Sequence, residues 1–111
     1  MTDDLIDHSV VADLSDAMGA DFANELIVTF LNDAPNMFSE LKDAVARQDA
    51  DAYRRAAHSI KSNAQVFGAN ALADQARDIE LGELSDSTTA VDRLESTFDQ
   101  TAVALRSVTD D

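Results

Sequence analysis

The sequence predicts an all-α fold: an antiparallel, up-down-up-down four-helix bundle with a short extra helix at the N-terminus. Apolar residues recur at spacings of three and four along nearly the whole chain, which is typical of amphipathic helices. The 111 residues include only 3 glycines and 1 proline, too few turn formers for many short strands. This length allows one compact domain with its own core, and long helices with short connections fit it best.

The first elements are predicted from their apolar stripes and from the residues that interrupt them. A short helix carries apolar residues up to Met18, and Gly19 ends it. Asp21 is placed to cap a second segment. The stretch from Asn32 to Pro35 is predicted to break that segment, because proline fits the first turn of a new helix better than a helix interior.

The later elements are predicted in the same way. Asp49 or Asp51 caps the next helix, Gly68 closes it, and Asn70 starts another that ends near Gly82. A polar stretch from residue 85 to 89 opens the last helix. The single domain, residues 1–111, therefore has a short helix at about 8–18 and bundle segments at about 21–32, 35–48, 50–67, 70–82 and 87–107.

Composition excludes several classes of function. The net charge is −14, from 22 acidic and 8 basic residues, so nucleic acid and anionic membranes are not expected partners. With no cysteine there are no disulfides and no thiolate metal sites. No apolar run approaches the ~20 residues of a membrane span, and the N-terminus MTDDLIDHSV lacks the features of a signal peptide. A cytoplasmic protein is expected.

His58 is predicted to lie on the outer face of its helix. At about 100° per residue, the apolar side chains of this segment cluster roughly 160° to 260° away from it. That cluster comprises Tyr53, Ala56, Ala57, Ile60, Ala64 and Phe67. Because this apolar stripe should point into the bundle, the histidine should point outward.

The neighbours of His58 are mainly cations and hydrogen-bond donors. Three of the eight basic residues flank it, and two more polar side chains share its face: Arg54, Arg55, Lys61, Ser62 and Gln65. Imidazole has an unperturbed pKa of about 6.5 and is a nucleophile near pH 7. Cations and hydroxyl or amide donors can stabilise a phosphoryl group through charge-assisted hydrogen bonds. Chance clustering on a solvated helix face is the alternative.

Other chemistries lack their motifs. There is no glycine-rich loop to bind nucleotide phosphates. His8 is the only other histidine, so there is no HExxH-type metal site, and no nucleophile elbow supports a Ser-His-Asp triad. If His58 reacts, any metal and most of the catalytic groups must come from another protein, and this chain is expected to bind no cofactor.

The segment from Ala56 to Glu80 resembles the signature of histidine-containing phosphotransfer (HPt) domains. It reads HSIKS from His58, then FGA at 67–69, Leu72, and Ile-Glu at 79–80. The usual pattern is AH-x-x-K-G, then a second glycine, a leucine and a Leu-Glu pair. Nearly the whole chain fits such a domain in length and helix pattern. One departure is Ser62 in place of glycine; serine is small, leaves access to the ring, and can donate to a phosphoryl oxygen.

The resemblance implies a phosphotransfer intermediate of a multistep two-component phosphorelay. His58 would accept a phosphoryl group from a receiver domain of a hybrid histidine kinase and pass it to the receiver aspartate of a response regulator. Lys61 would help to hold the group, with Gln65 alongside, and Gly68 would close the helix. The partner receiver would supply Mg²⁺, so the chain would be a phosphocarrier without ATP-binding machinery of its own.

The same resemblance suggests how a receiver would dock. Arg54 and Arg55 would contact its acidic pocket by charge complementarity, with Ser62, Val66 and Gly68 as further contacts.

A monomer is expected, because the loops are short and no heptad repeat is sustained.

Other classes of histidine-phosphorylated domain fit the sequence less well. Dimerising domains of sensor kinases usually follow their histidine with an acidic residue and, five positions on, a proline; here these positions are Ser59 and Asn63. The phosphorylated domain of a chemotaxis kinase shares the bundle but normally belongs to a much longer chain. A helical adaptor that binds a signalling partner without carrying phosphate is the alternative function.

Overall fold

A computed structural model describes residues 6–84 and 88–109, except the side chains of 108 and 109. Its helices are α1 (His8–Met18), α2 (Ala20–Arg47), α3 (Ala50–Val66), α4 (Asn70–Leu81) and α5 (Thr89–Thr109). Helices α2 and α4 each pack against both α3 and α5, which closes a four-helix bundle, and α1 packs against α2. The predicted fold class is confirmed. The predicted start of the last helix at residue 87 lies outside the described residues.

The predicted break at Asn32 to Pro35 is wrong, because α2 runs through it as one helix of 28 residues. Such a helix is about 42 Å long, which equals the longest dimension of the molecule, 42 Å. Its buried positions keep helical spacing on both sides of the exposed Pro35: Ile27, Phe30, Ala34, Phe38 and Leu41. An interior proline costs roughly 3 kcal/mol. Burying each large apolar side chain contributes about 1.5–3 kcal/mol, so the continuous stripe outweighs it.

Two residues connect α2 to α3. Gln48 adopts a left-handed conformation (φ 56°), and its N–H bonds to the carbonyl of Val45 at 3.2 Å. The next N–H, of Asp49, bonds to the carbonyl of Ala44 at 2.9 Å, which completes a Schellman motif. The Asp49 carboxylate then accepts from the N–H of Ala52 at 3.1 Å and caps α3. Asp21, by contrast, does not cap α2: it lies in the first turn, after Gly19.

The turn from α3 to α4 depends on Gly68. Its φ is 66°, its N–H bonds to the carbonyl of Gln65, and the N–H of Ala69 bonds to the carbonyl of Ala64. The Gly68 carbonyl accepts the N–H of Asp7 at 2.7 Å, which ties the start of α1 to the end of α3. Gly68 is buried, so it cannot be a surface contact for a partner. The prediction that it is a binding residue is corrected to a structural role.

We expect Gly68→Ala to destabilise the fold by about 2–3 kcal/mol. A left-handed non-glycine residue costs roughly 1–2 kcal/mol, and the new Cβ would lie 2.9 Å from both the Cβ and the carbonyl oxygen of Asp7. Urea denaturation followed by circular dichroism measures the loss. Gln48→Gly, which relieves the same backbone strain at the other cap, should change stability by less than about 1 kcal/mol. A Gly68→Ala protein with the wild-type midpoint would contradict this explanation.

Four phenylalanines join three parts of the core. The Phe30 ring stacks on Phe67 at 5.5 Å between centroids and meets Phe98 edge-on at 5.7 Å. Phe38 also contacts Phe98, with 5.3 Å between ring centroids. This aromatic cluster links α2, α5 and the residue that follows α3. It therefore fixes one end of α3, and with it the direction in which the outer face of α3 points.

Candidate functional site

His58 lies on the solvent side of α3, as the helical periodicity predicts. The opposite side of the helix is buried, with Tyr53, Ala56, Ala57, Ile60 and Ala64 in the core. The His58 side chain is 58% exposed. An imidazole in this position is accessible to another protein, and the packing of the bundle does not require it.

Glu80, on α4, binds both His58 and Lys61. One carboxylate oxygen, Oε2, is 2.6 Å from Nδ1 of His58, and the other, Oε1, is 2.5 Å from Nζ of Lys61. The Lys61 ammonium lowers the pKa of Glu80, partial burial opposes this, and the hydrogen bond to His58 lowers it further. Glu80 is therefore a carboxylate at neutral pH.

The contact with Glu80 indicates which ring nitrogen of His58 carries the proton in the neutral ring. A carboxylate only accepts hydrogen bonds, so Nδ1 carries the proton and donates it to Glu80. In the neutral ring Nε2 then keeps its lone pair. The Ser62 hydroxyl, on the same helix, lies near Nε2, with Oγ at 3.5 Å. In this tautomer the nucleophilic nitrogen is Nε2, the one that Glu80 does not bind.

The remaining predicted residues surround this centre without joining the Glu80 network. Arg54 and Arg55 are exposed on the preceding turn, and Arg55 Nε donates to the carbonyl of Asp51 at 3.4 Å. Gln65 is exposed about two turns after His58, and Val66 beside it is 45% exposed. The structure thus brings His58, Lys61 and Ser62 together, and it leaves the arginines and Val66 available around them.

Sequence reasoning gave Glu80 no role in the site. In the sequence, this residue stands out only as the acidic member of the Ile-Glu pair in the family signature. Glu80 follows the buried Ile79 on α4 and is 22 residues from His58 in sequence. Only the packing of α3 against α4 brings the two side chains together. The available signal was the acidic residue of that pair, combined with the expectation that consecutive helices of the bundle are neighbours.

The described part of the chain has neither a cluster of metal ligands nor a membrane-spanning helix. Residues 6–84 and 88–109 contain no group of three or more His, Cys, Asp or Glu side chains able to hold a metal ion. Over the same part of the chain, no helix combines the length and the apolar character needed to cross a membrane.

Comparison with known proteins identifies the family. The Hpt domain family matches residues 25–104. The phosphorelay protein LuxU of Vibrio vulnificus, strains YJ016 and CMCP6, is 29% identical over 85% of this chain and 89% of its own. The crystal structure of the histidine-containing phosphotransfer protein HptB of Pseudomonas aeruginosa PAO1 superposes with a TM-score of 0.87 at 27% identity, covering 96% of this chain and 95% of that one. With its exposed histidine on the third helix and this match over most of its length, the chain belongs to the Hpt domain family.

Proposed function

We propose that this protein is a phosphocarrier of a two-component phosphorelay, in which Nε2 of His58 holds the phosphoryl group in transit. Membership of the Hpt family supports this, and so does the similarity to a protein named as a phosphorelay protein. The observation that carries the proposal is the hydrogen bond from Nδ1 to Glu80 on an exposed side chain, because in the neutral ring it places the proton on Nδ1 and leaves Nε2 with its lone pair.

The transfer itself follows from this arrangement. The Nε2 lone pair attacks the phosphorus of an aspartyl phosphate on a receiver domain. An N–P bond forms, the acyl P–O bond breaks, and the receiver aspartate leaves as a carboxylate. The proton on Nδ1 stays in its hydrogen bond to Glu80, whose negative charge offsets the positive charge that the ring acquires. The reverse reaction with a second receiver passes the group on.

Lys61 has two parts in this proposal. One of its ammonium protons binds Glu80, which keeps that carboxylate in place against the imidazole. An ammonium carries three donors, so the others can bind a phosphoryl oxygen. Gln65, exposed further along α3, is a second candidate donor for the phosphoryl group or for the docked receiver.

The partners that suit this site are receiver domains of a hybrid histidine kinase and of a response regulator. Arg54 and Arg55 are exposed beside His58 in a chain of net charge −14, so they offer a local positive surface to an acidic receiver pocket. Val66 adds an exposed apolar contact. Mg²⁺ belongs to the receiver in this scheme, and the carrier acts as a cytoplasmic monomer that binds no nucleic acid.

The test is a phosphotransfer profile. The purified protein is mixed with each receiver domain of its source organism, phosphorylated beforehand with labelled phosphate. We expect rapid transfer from one or two receivers, giving a phosphate that is acid-labile and base-stable. Absence of label from every phosphorylated receiver would contradict the proposal. Binding of receivers without label would instead support the adaptor alternative.

We expect Glu80→Ala to slow phosphotransfer about tenfold or more while leaving receiver affinity within about twofold. Removing the carboxylate releases the ring and allows the proton to occupy either nitrogen, so the reactive lone pair is correctly placed for less of the time. A time course of labelling, with samples quenched at each point, gives the transfer rate. The ¹⁵N chemical shifts of the His58 ring give the tautomer populations.

Glu95→Ala is the matched control, since it removes another carboxylate that pairs with a lysine, Lys42, at 2.9 Å. It should leave both the rate and the ring spectrum of His58 unchanged. A Glu80→Ala protein with the wild-type rate and a single tautomer would show that Glu80 does not orient the ring.

A further inference from the structure

We propose that Ser62 is a phosphoryl-binding residue, whose hydroxyl donates a hydrogen bond to the phosphoryl group on Nε2 of His58 and shifts the transfer equilibrium toward the phosphorylated carrier. This inference rests on the proposed function and deepens it. It concerns the position at which this chain departs from the glycine of the family pattern.

The position of Ser62 on the helix directs its side chain at the reactive nitrogen. Side chains of an α-helix point toward its N-terminus, so a residue four positions after His58 leans back over the histidine. Here Ser62 Oγ lies 3.5 Å from Nε2, whereas Nδ1 is hydrogen-bonded to Glu80. The hydroxyl is thus on the side of the ring where the phosphoryl group is attached.

The distance also matters. At 3.5 Å the hydroxyl is at the outer limit of hydrogen bonding to the ring, so it holds the Nε2 lone pair only weakly. Phosphoryl oxygens project beyond Nε2 and come within closer reach of the same hydroxyl. Ser62 is exposed, so its side chain is free to rotate toward them. A hydroxyl donor to a charged phosphoryl oxygen forms a stronger bond than a hydroxyl donor to a neutral ring nitrogen.

The bond would exist only in the phosphorylated state, and this gives it a thermodynamic effect. In the transfer from aspartyl phosphate to histidine, any interaction made only by the phosphohistidine raises the equilibrium constant in its favour. Neither glycine nor alanine has a side-chain donor for this bond. At equilibrium with the same receiver, a larger fraction of a chain with serine at this position should therefore be phosphorylated than of the same chain with alanine or glycine.

Three variants separate the hydrogen bond from simple crowding. Ser62→Ala removes only the hydroxyl, Ser62→Gly also removes the Cβ, and Ser62→Thr keeps the hydroxyl. Each variant is equilibrated with a receiver that phosphorylates the wild type, starting from either labelled partner, and the distribution of label is measured. We expect Ser62→Ala and Ser62→Gly to shift the equilibrium about 5- to 10-fold toward the receiver, and Ser62→Thr to stay within about twofold of wild type.

Two results would overturn the assignment. An equilibrium constant of Ser62→Ala equal to that of the wild type would show that the hydroxyl does not bind the phosphoryl group, even if Ser62→Gly reacted faster in both directions. A Ser62→Thr equilibrium as low as that of Ser62→Ala would show the same. Failure of the wild type to take up label would instead refute the proposed function, so the two failures are distinguishable.

Discussion

We expect His58→Gln to abolish phosphorylation of the protein, with a loss of about 10³-fold or more in the labelling rate, and to leave the fold intact. Glutamine keeps a polar side chain of similar reach but has no nucleophilic ring nitrogen. Because the His58 side chain is 58% exposed, the substitution should change stability by no more than about 0.5 kcal/mol. Labelling from a phosphorylated receiver measures the first effect, and urea denaturation measures the second.

His8→Gln is the matched control, because His8 is the other histidine of the chain and is also exposed. It should label at the wild-type rate. If His58→Gln labels as well as wild type, the assignment of the phosphoryl acceptor is wrong. If a receiver binds His58→Ala and wild type equally and neither protein takes label, the adaptor function is the correct one.

Helical periodicity was sufficient to predict which side of α3 carries the site. The buried residues of α3 lie on one face, and His58 lies on the other, because the 3.6-residue repeat fixes both at once. The same rule, applied across Pro35, would have predicted a continuous α2. A break at Pro35 is the wrong prediction because an exposed proline removes one hydrogen bond and leaves the buried face of the helix unchanged.

Contacts between helices were beyond the reach of the sequence. The contact of Glu80 with His58 joins two helices, and its geometry depends on how far α4 is rotated and shifted against α3. The burial of Gly68 against Asp7 likewise depends on where the chain before α1 lies. In both cases the local sequence pattern marks out one residue, Glu80 or Gly68, but does not show which residue of another segment it contacts.

The site divides its work between two helices. Helix α3 supplies the nucleophile and its surrounding donors, whereas α4 supplies the carboxylate that orients the ring. Because Glu80 also binds Lys61, the ammonium is held within one turn of His58 before any phosphate arrives. The orientation of the ring and the position of the ammonium are therefore set by contacts within this chain.

The aromatic cluster contributes to the stability of the bundle, and Phe38→Ala should show how much. The Phe38 side chain is 2% exposed and its ring lies 5.3 Å from Phe98, which in turn contacts Phe30. Truncating a buried phenylalanine to alanine costs about 3–5 kcal/mol, through lost burial and the cavity left behind. A domain of this size has only about 5–15 kcal/mol in total, so the variant should unfold at a much lower urea concentration.

The matched control for Phe38→Ala is Phe22→Ala, the same substitution at a side chain on α2 that is 41% exposed. It should cost no more than about 1 kcal/mol. Equal midpoints for the two variants would mean that the cluster does not hold α2 and α5 together. If Phe38→Ala is instead strongly destabilised but still labels on His58 under conditions where it remains folded, the stability of the bundle and the chemistry of the outer face of α3 are separable, as expected when the nucleophile and its orienting carboxylate both lie outside the core.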